Sequence, residues 1–115
     1  MRPANHLVVQ LCREPVDFRK GINGLSIMVE QELAQNPFSE QLFVFINRAR
    51  DKLKILYWER NGYCLWQKRL EESRFHWIDP SHATELTGQQ LNWLIDGYDI
   101  NRLTPHNTLN YQSNL

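Results

Sequence analysis

The pattern of apolar and polar residues is clearest between residues 42 and 70. Three apolar runs stand there, at 42–46, 52–58 and 63–70, and short polar breaks separate them. Runs of this length, rich in β-branched and aromatic residues, predict an antiparallel meander. The dipeptide Asn61-Gly62 marks its second turn, because both residues tolerate the positive φ that tight hairpin turns require.

The three runs differ in how they alternate. The first, Leu-Phe-Val-Phe-Ile, is apolar throughout, which predicts a central strand covered on both faces. In the second run one side carries Leu53, Ile55 and Tyr57, and the other carries Lys52, Lys54, Leu56 and Trp58. In the third, Tyr63, Leu65, Gln67 and Arg69 oppose Cys64, Trp66, Lys68 and Leu70. One face of the sheet is therefore predicted to be core, and the other to mix cations with aromatics.

The residues before the meander predict a strand and a helix. Residues 6–12 form an apolar run that ends before Pro15, because proline cannot donate to a strand ladder. Helical spacing of apolar residues then predicts a helix over 18–35, with Asp17 as its N-cap. Gly21 and Gly24 indicate either close packing against the sheet or a true helix start nearer Asn23.

The second half of the chain completes an α+β prediction. Residues 74–77 could add a short fourth meander strand, and 80–84 form a loop. Thr87 caps a second helix that closes at Gly97 and carries Leu91, Leu94 and Ile95 on one face. The predicted fold is a mostly antiparallel sheet in the order β-α-β-β-β with two helices, as a single domain over 1–115. Residues 101–115 are either an ordered extension or a flexible end.

Composition narrows the class of protein. A chain of 115 residues with 42% hydrophobic residues predicts one packed domain. It contains neither an apolar run near the roughly 20 residues of a membrane span nor a signal peptide, so a soluble, cytoplasmic protein is expected. Cys12 and Cys64 lack zinc-ligand spacing and are expected to be two buried thiols.

Charge is balanced in total and uneven along the chain. The formal net charge is zero, which removes the simplest argument for nucleic-acid binding. Residues 48–74, however, carry eight cations against four acids, whereas residues 79–99 carry four acids and no lysine or arginine. A bipolar surface of this kind can bind a polyanion at one end and a basic protein at the other.

Three motifs resemble one protein family. They are Asp17-Phe-Arg-Lys-Gly-Ile-Asn-Gly-Leu25, the meander with Lys54-Ile-Leu-Tyr-Trp58, Gly62, Lys68-Arg-Leu-Glu71 and Phe75-x-Trp77, and Leu86-Thr-Gly-Gln-Gln-Leu-Asn-Trp-Leu-Ile-Asp-Gly97. In this order they resemble the accessory protein from the second open reading frame of insertion sequence 66 type elements, which is TnpB-like and often labelled a transposase. Glu59 and Ser73 depart from the family's usual Asp and Gly.

The residues give no support for catalysis. Metal-dependent strand transfer needs carboxylates that converge on two cations. The available aspartates, Asp17, Asp51, Asp79, Asp96 and Asp99, stand mostly at predicted caps and turns. No serine lies in a nucleophile elbow, and no two histidines have ligand spacing. We therefore expect no catalytic residues, no metal and no cofactor.

Eight cations are candidates for binding nucleic acid or a partner: Arg19, Lys20, Arg48, Arg50, Lys52, Lys54, Lys68 and Arg69. Arg19 and Lys20 are predicted in the first turn of a helix, where cations oppose the helix dipole unless a phosphate docks there. The alternative is that Arg19 pairs with Glu14 or Asp17 and orders the loop. For the lysines of the sheet, the alternative is a solvated face that keeps edges soluble. The four tryptophans are expected to be core and rim packing rather than base-stacking platforms.

Three functions remain open at this point. The resemblance implies DNA transposition, in which the protein would bind element-end DNA or organise the complex beside a separate transposase and other element-encoded proteins. The second hypothesis is a pure protein-interaction subunit, and the third is a small nuclease or strand-transferase. Such a protein would act at the nucleoid, and the sequence leaves self-association undecided.

Overall fold

A five-stranded mixed sheet carries the fold. The computed structural model describes residues 1–105. The strands are β1 Val8–Leu11, β2 Leu42–Ile46, β3 Lys52–Glu59, β4 Gly62–Arg69 and β5 Glu85–Thr87. The helices are α1 Ile22–Gln31 and α2 Gly88–Ile95, followed by a 3-10 turn at Ile100–Arg102. The predicted α+β class is confirmed, and residues 106–115 of the predicted tail lie outside the described residues.

The strand order is β4-β3-β2-β1-β5. The segment containing α1 connects β1 to β2, and these two strands are parallel, with Val9 opposite Leu42. The predicted meander is confirmed, since β2, β3 and β4 pair antiparallel in sequence order. β2 is the central strand, and all five of its residues are buried.

Both faces of the sheet are core. On one face α2 covers a cluster that includes Val44, Leu53 and Ile55, with Trp66 at its margin. On the other face α1 covers a second cluster built on Leu25, Val29, Phe43, Phe45 and Leu56. The prediction of one core face and one face of cations and aromatics was therefore wrong. The alternation in β3 and β4 separates two apolar layers, each covered by its own helix.

Helix α1 is shorter than the sequence predicts. Asp17 does not cap it, because Asp17 Oδ1 accepts the backbone N–H of Arg19 at 2.9 Å in a turn that precedes the helix. Gly21 is the N-cap in an extended conformation, and no side chain in the described chain makes that cap bond. Of the two explanations for the glycines, the later helix start is the right one. Ala34, with φ of 53°, lies in the left-handed region beyond the helix end.

Strand β5 was not predicted from the sequence. It pairs antiparallel with β1, with Val9 opposite Leu86. Residues 74–77, predicted as a strand, form none. Phe75 and Trp77 are instead buried in the core on the α2 face, and Trp77 Nε1 donates to the carbonyl oxygen of Arg13 at 2.9 Å. Strand β5 was not predicted because its three residues are too few to show an alternation and its partner, β1, is distant in sequence.

The predicted caps of α2 are confirmed. The Thr87 hydroxyl accepts the backbone N–H of Gln90, and the Gln90 side chain accepts the backbone N–H of Thr87, which makes a capping box. At the other end the backbone N–H of Gly97, at φ of 90°, donates to Leu94, and that of Tyr98 donates to Trp93. This is the Schellman pattern that glycine favours.

The hairpin between β3 and β4 forms where the sequence predicts it, but the positive φ is at a different residue from the predicted Asn61 and Gly62. Glu59 pairs with Gly62, so Arg60 and Asn61 are the two turn residues. Arg60 takes the positive φ, at 56°, and neither Asn61 nor Gly62 does. The Asn61 N–H donates to the Glu59 carbonyl oxygen at 2.6 Å and tightens the turn around Arg60.

Two further observations concern the described residues. Cys12 is buried as expected, but Cys64 is half-exposed, because it stands on the edge strand β4. Neither α-helix in residues 1–105 has the length and apolarity that crossing a bilayer would require.

Candidate functional site

A cleft of about 580 Å³ opens at the carboxyl ends of the parallel strands β1 and β2. Parallel strands end at the same edge of a sheet, so the segments that follow them meet there. The Val16 N–H donates to the Ile46 carbonyl oxygen at 2.9 Å, which holds the two segments side by side. The lining residues are Pro15, Val16, Asp17, Phe18, Arg19, Asn47, Arg48, Ala49 and Lys52.

The turn after β2 forms one wall of the cleft. Asn47 Oδ1 accepts the backbone N–H groups of Asp51 and Lys52, each at 3.1 Å, and Asn47 Nδ2 donates to Asp51 Oδ1 at 2.6 Å. The hydrogen bond from Asn47 is the main reason that the pKa of Asp51 lies below its ordinary value. Arg50 completes the turn at φ of 62°. The exposed Arg48 is therefore carried on an ordered turn.

An ion pair stands on the opposite wall. Arg19 Nε and Nη2 donate to Asp17 Oδ2 at 2.9 and 2.6 Å. The pairing lowers the pKa of Asp17 to about 2, first through the side-chain hydrogen bond from Arg19 and then through its backbone N–H. The pairing of Arg19 with Asp17, given above as an alternative to a phosphate contact, is present in the structure. The Arg19 side chain remains 92% exposed, so it stays accessible to a ligand.

Lys54 is a structural residue of this wall. The residue is only 7% exposed, and its Nζ donates to the carbonyl oxygens of Phe18 and Lys20 at 2.8 and 2.9 Å. Nζ also lies 4.8 Å from the centre of the Phe18 ring. Burial is the main reason that the pKa of Lys54 is lowered. Lys54 thus fastens the segment before α1 to the sheet.

Lys68 lies on the other face of the sheet. It pairs with Leu53, whose side chain belongs to the core on the α2 side, and Lys68 Nζ donates to the carbonyl oxygen of Ile95 at 3.0 Å. A cation is favourable there because α2 ends at Ile95 with the negative pole of its dipole. Lys68 is therefore separated by the sheet from Lys52 and Lys54, so the eight candidate cations do not gather on one surface.

The remaining candidates are exposed or half-exposed. Arg69 stands opposite Lys52 in the β3–β4 ladder and pairs with Glu71 at 2.9 Å. Lys20 and Arg50 are exposed, and both precede elements rather than lie in them. Lys20 and Arg19 are not in the first turn of α1, because the helix begins at Ile22, so the argument from the helix dipole does not apply. The structure brings Arg19, Arg48 and Lys52 together in the cleft, with Arg69 next to Lys52.

An aromatic cluster formed by Phe38, Trp58 and Tyr63 lies beside the β3–β4 turn. The Phe38 ring centre lies 4.9 Å from that of Trp58 and 5.7 Å from that of Tyr63. Phe38 is 56% exposed and was not singled out from the sequence. The sequence shows the apolar stretch around the turn, but no local pattern indicates that Phe38, a loop residue, packs on it. Trp58 and Trp66 lie on opposite faces of the sheet, so they form no shared platform.

The acidic segment 79–99 is divided between one edge and one face of the sheet. It contains β5, which is the edge opposite β4, and α2. Two of its aspartates are paired, Asp96 with Arg2 at 2.7 Å and Asp99 with Arg102 at 3.5 Å. The pKa of Asp99 is lowered, mainly by a hydrogen bond from the Asn101 side chain. The end of α2 lies beside β4, where Lys68 bonds to Ile95, so the uneven charge along the chain does not become a separation between the two edges of the sheet.

Comparison with known proteins finds a family whose model covers the three sequence motifs described above. The family model described as IS66 Orf2 like protein matches residues 7–105, which include the cleft, the meander and α2. The chain belongs to the IS66 Orf2-like family. Membership makes it an accessory protein associated with an insertion sequence, as the resemblance implied.

Two relatives of this IS66 Orf2-like protein come from Sinorhizobium fredii. It is 33% identical to the uncharacterized protein y4jC over 104 residues, which cover 88% of this chain and 87% of the relative. It is 36% identical to the uncharacterized protein y4hO over 84 residues, covering 72% and 73% of the two chains. No solved structure gives a significant match.

Proposed function

We propose that this IS66 Orf2-like protein is a non-catalytic accessory factor of transposition that binds DNA through the cationic cleft, defined as Arg19, Arg48 and Lys52. The observation that carries the proposal is the pair Arg48 and Lys52, which line a concave surface and make no salt bridge within residues 1–105. Unpaired cations on an ordered turn and at the start of the strand that follows it can contact backbone phosphates.

The number of cations sets the expected strength of binding. Each phosphate contact contributes a slope of about 0.9 to the fall of log affinity with log salt. Three contacts therefore give weak, salt-sensitive and sequence-independent binding, in contrast to the roughly 6–10 contacts of tighter DNA-binding proteins. Such a module works as one part of a complex on element-end DNA, where the separate transposase and other element-encoded proteins supply further contacts.

The carboxylates around the cleft support a non-catalytic role. Phosphoryl transfer needs carboxylates arranged around divalent cations. In the part of the chain that the structure describes, no three His, Cys, Asp or Glu side chains are grouped so as to hold a metal ion. Asp17, which lines the cleft, and Asp51, on the turn that forms one wall, each accept a hydrogen bond from a neighbouring side chain. We expect the strand-transfer chemistry to belong to the separate transposase.

A second candidate is a subunit that contacts only proteins. Asp17 neutralises part of the charge of Arg19, and the aromatic cluster of Phe38, Trp58 and Tyr63 leaves Phe38 half-exposed, which suits a protein partner. The exposed acids Asp79, Glu85 and Asp96 would suit a basic partner.

Charge reversal separates the two candidates. We expect the double variant Arg48→Glu/Lys52→Glu to lose duplex DNA binding in a fluorescence anisotropy titration while it still captures the element's transposase. A matched control, Arg2→Glu/Arg102→Glu, makes the same change in net charge at two exposed arginines elsewhere and should bind DNA normally. Circular dichroism confirms that both variants are folded. Unchanged DNA binding in the cleft variant together with lost capture of the transposase would establish the second candidate instead.

A further inference from the structure

One wall of the cationic cleft is apolar. It is formed by the segment after β1 and includes Pro15, Val16 and Phe18, and the turn after β2 adds Ala49. Pro15 and Ala49 are exposed, and Phe18 is half-exposed. Duplex DNA offers mainly its phosphates and sugars to a protein, while its base faces are stacked inside the helix. Binding to a duplex therefore accounts for the cations of the cleft but not for this apolar wall.

The Phe18 ring is held in place within that wall. Lys54 Nζ lies 4.8 Å from the ring centre and donates to the Phe18 carbonyl oxygen at 2.8 Å. The ring also packs against the core on the α1 side of the sheet. A ring that is already fixed binds a ligand with little loss of side-chain freedom.

The cleft has the size and the charge to hold a nucleotide. Its volume of about 580 Å³ lies within the roughly 300–1,000 Å³ of sites for small organic ligands. Arg48 and Lys52 line the same cleft and make no salt bridge in the part of the chain that the structure describes. A ligand that covers the apolar wall and also binds these cations needs a flat apolar group joined to a negative charge. A nucleotide has both, in its base and its phosphate.

The number of cations favours a nucleic-acid strand over a free nucleotide. The cleft contains three, Arg19, Arg48 and Lys52, which is more than one phosphate needs. A strand supplies successive phosphates, and where it is unpaired it also leaves its bases free to stack on an aromatic ring.

We propose that the cleft binds single-stranded DNA, with one unpaired base against the Phe18 ring and the neighbouring phosphates on Arg48 and Lys52. Every base has a π-face, so stacking on this ring should show little sequence preference. This mode of binding rests on the proposed function and specifies which form of DNA uses both the cations and the apolar wall.

An abasic strand tests the base contact with the unmodified protein. Fluorescence anisotropy compares a labelled oligothymidylate with a strand of the same length and the same phosphates that lacks every base. The oligothymidylate should bind at least about fivefold more tightly, which is the lower end of the effect of one base stacked on an aromatic ring. This ratio should persist as salt rises, because the two strands carry the same charge. Equal affinities, or a difference that disappears as salt rises, would overturn the proposal.

Phe18→Leu tests whether that contact lies in the cleft. Leucine keeps an apolar side chain and the carbonyl oxygen that Lys54 binds, but it removes the ring. The variant should lose the preference for the intact strand and keep the salt slope of the wild type. Phe38→Leu is the matched control, because it removes a 56% exposed ring outside the cleft, and it should retain the preference. A Phe18→Leu protein that is folded by circular dichroism and still prefers the intact strand would contradict the proposal.

The variant Arg48→Glu/Lys52→Glu separates this proposal from the proposed function. It should lose binding to both duplex and single-stranded DNA. If it binds both normally, the cleft is not the DNA site and the proposed function fails. If it loses both while the wild type binds intact and abasic strands equally, the phosphate contacts stand and only the base contact is wrong.

Discussion

Lys54 and Phe18 are joined twice: Lys54 Nζ donates to the Phe18 carbonyl oxygen at 2.8 Å and lies 4.8 Å from the centre of the Phe18 ring. Through these contacts a strand residue holds the loop that forms one wall of the cationic cleft. The position of Arg19 at that wall therefore depends on a buried lysine in the sheet. A cation that the sequence suggests as a ligand contact serves here to support the site.

Removing the Lys54 ammonium should destabilise the fold. Lys54→Met keeps most of the apolar stem but leaves the carbonyl oxygens of Phe18 and Lys20 without their donor, at a cost of about 1–3 kcal/mol in the free energy of unfolding. Urea denaturation measures this difference. Lys52→Met, the matched change at a half-exposed neighbour on the same face, should cost less than about 0.5 kcal/mol. Equal losses in the two variants would contradict a structural role for Lys54.

The Asp17 carboxyl should titrate with a pKa of about 2 in the folded protein. Because this value lies below the ordinary one of 3.8, the Asp17–Arg19 contact contributes stability above the unfolded pKa, and that stability is lost as the pH falls through the folded pKa. Arg19→Ala should move the pKa of Asp17 back toward 3.8, since the largest cause of the shift is removed. Carboxyl chemical shifts in an NMR titration follow this directly. An Asp17 pKa that is the same in both proteins would show that the ion pair does not form in solution.

Gly88→Ala should disrupt the packing of the amino-terminal segment on α2. A Cβ at this position would overlap the carbonyl oxygen of Ala4, which is backbone and cannot rotate away. The Gly88 N–H also donates to the Leu7 carbonyl oxygen at 2.9 Å, so the two segments cannot separate without losing that bond. We expect a loss of about 1–3 kcal/mol or more, read from thermal unfolding. Gly21→Ala is the control, because nothing lies within 4 Å of its added Cβ; a control as destabilised as Gly88→Ala would show that the loss is a general effect of replacing glycine.

The parts of the fold that the sequence predicted are those with local signals. The meander and α2 carry their own periodicity and caps, and both were predicted correctly. Strand β5 was missed because three residues show no period and the pairing with β1 joins distant parts of the chain. The start of α1 was misplaced because Asp17, a good N-cap residue, instead closes a turn with the backbone of Arg19.

The sequence indicated which cations belong to the candidate site better than it indicated where their side chains lie. Local charge indicated where the cations concentrate, and the cleft does contain Arg48 and Lys52. The assignment of Lys54 and Lys68 to an open surface depended on which face a helix would cover. Alternation divides strand residues between two faces and does not reveal that both are covered. The acceptors of these lysines, the carbonyl oxygens of Phe18 and Ile95, lie on segments whose docking depends on the tertiary fold.

The most direct measurement of DNA binding through the cleft is the salt dependence of affinity for duplex DNA. If Lys52 contacts a phosphate, Lys52→Ala should lower the log–log slope by about 0.9 and leave the fold intact, whereas Arg102→Ala, an exposed cation outside the cleft, should leave the slope unchanged. A wild-type protein that binds no duplex DNA, or equal slopes for the wild type and Lys52→Ala, would contradict a cleft that binds the DNA backbone.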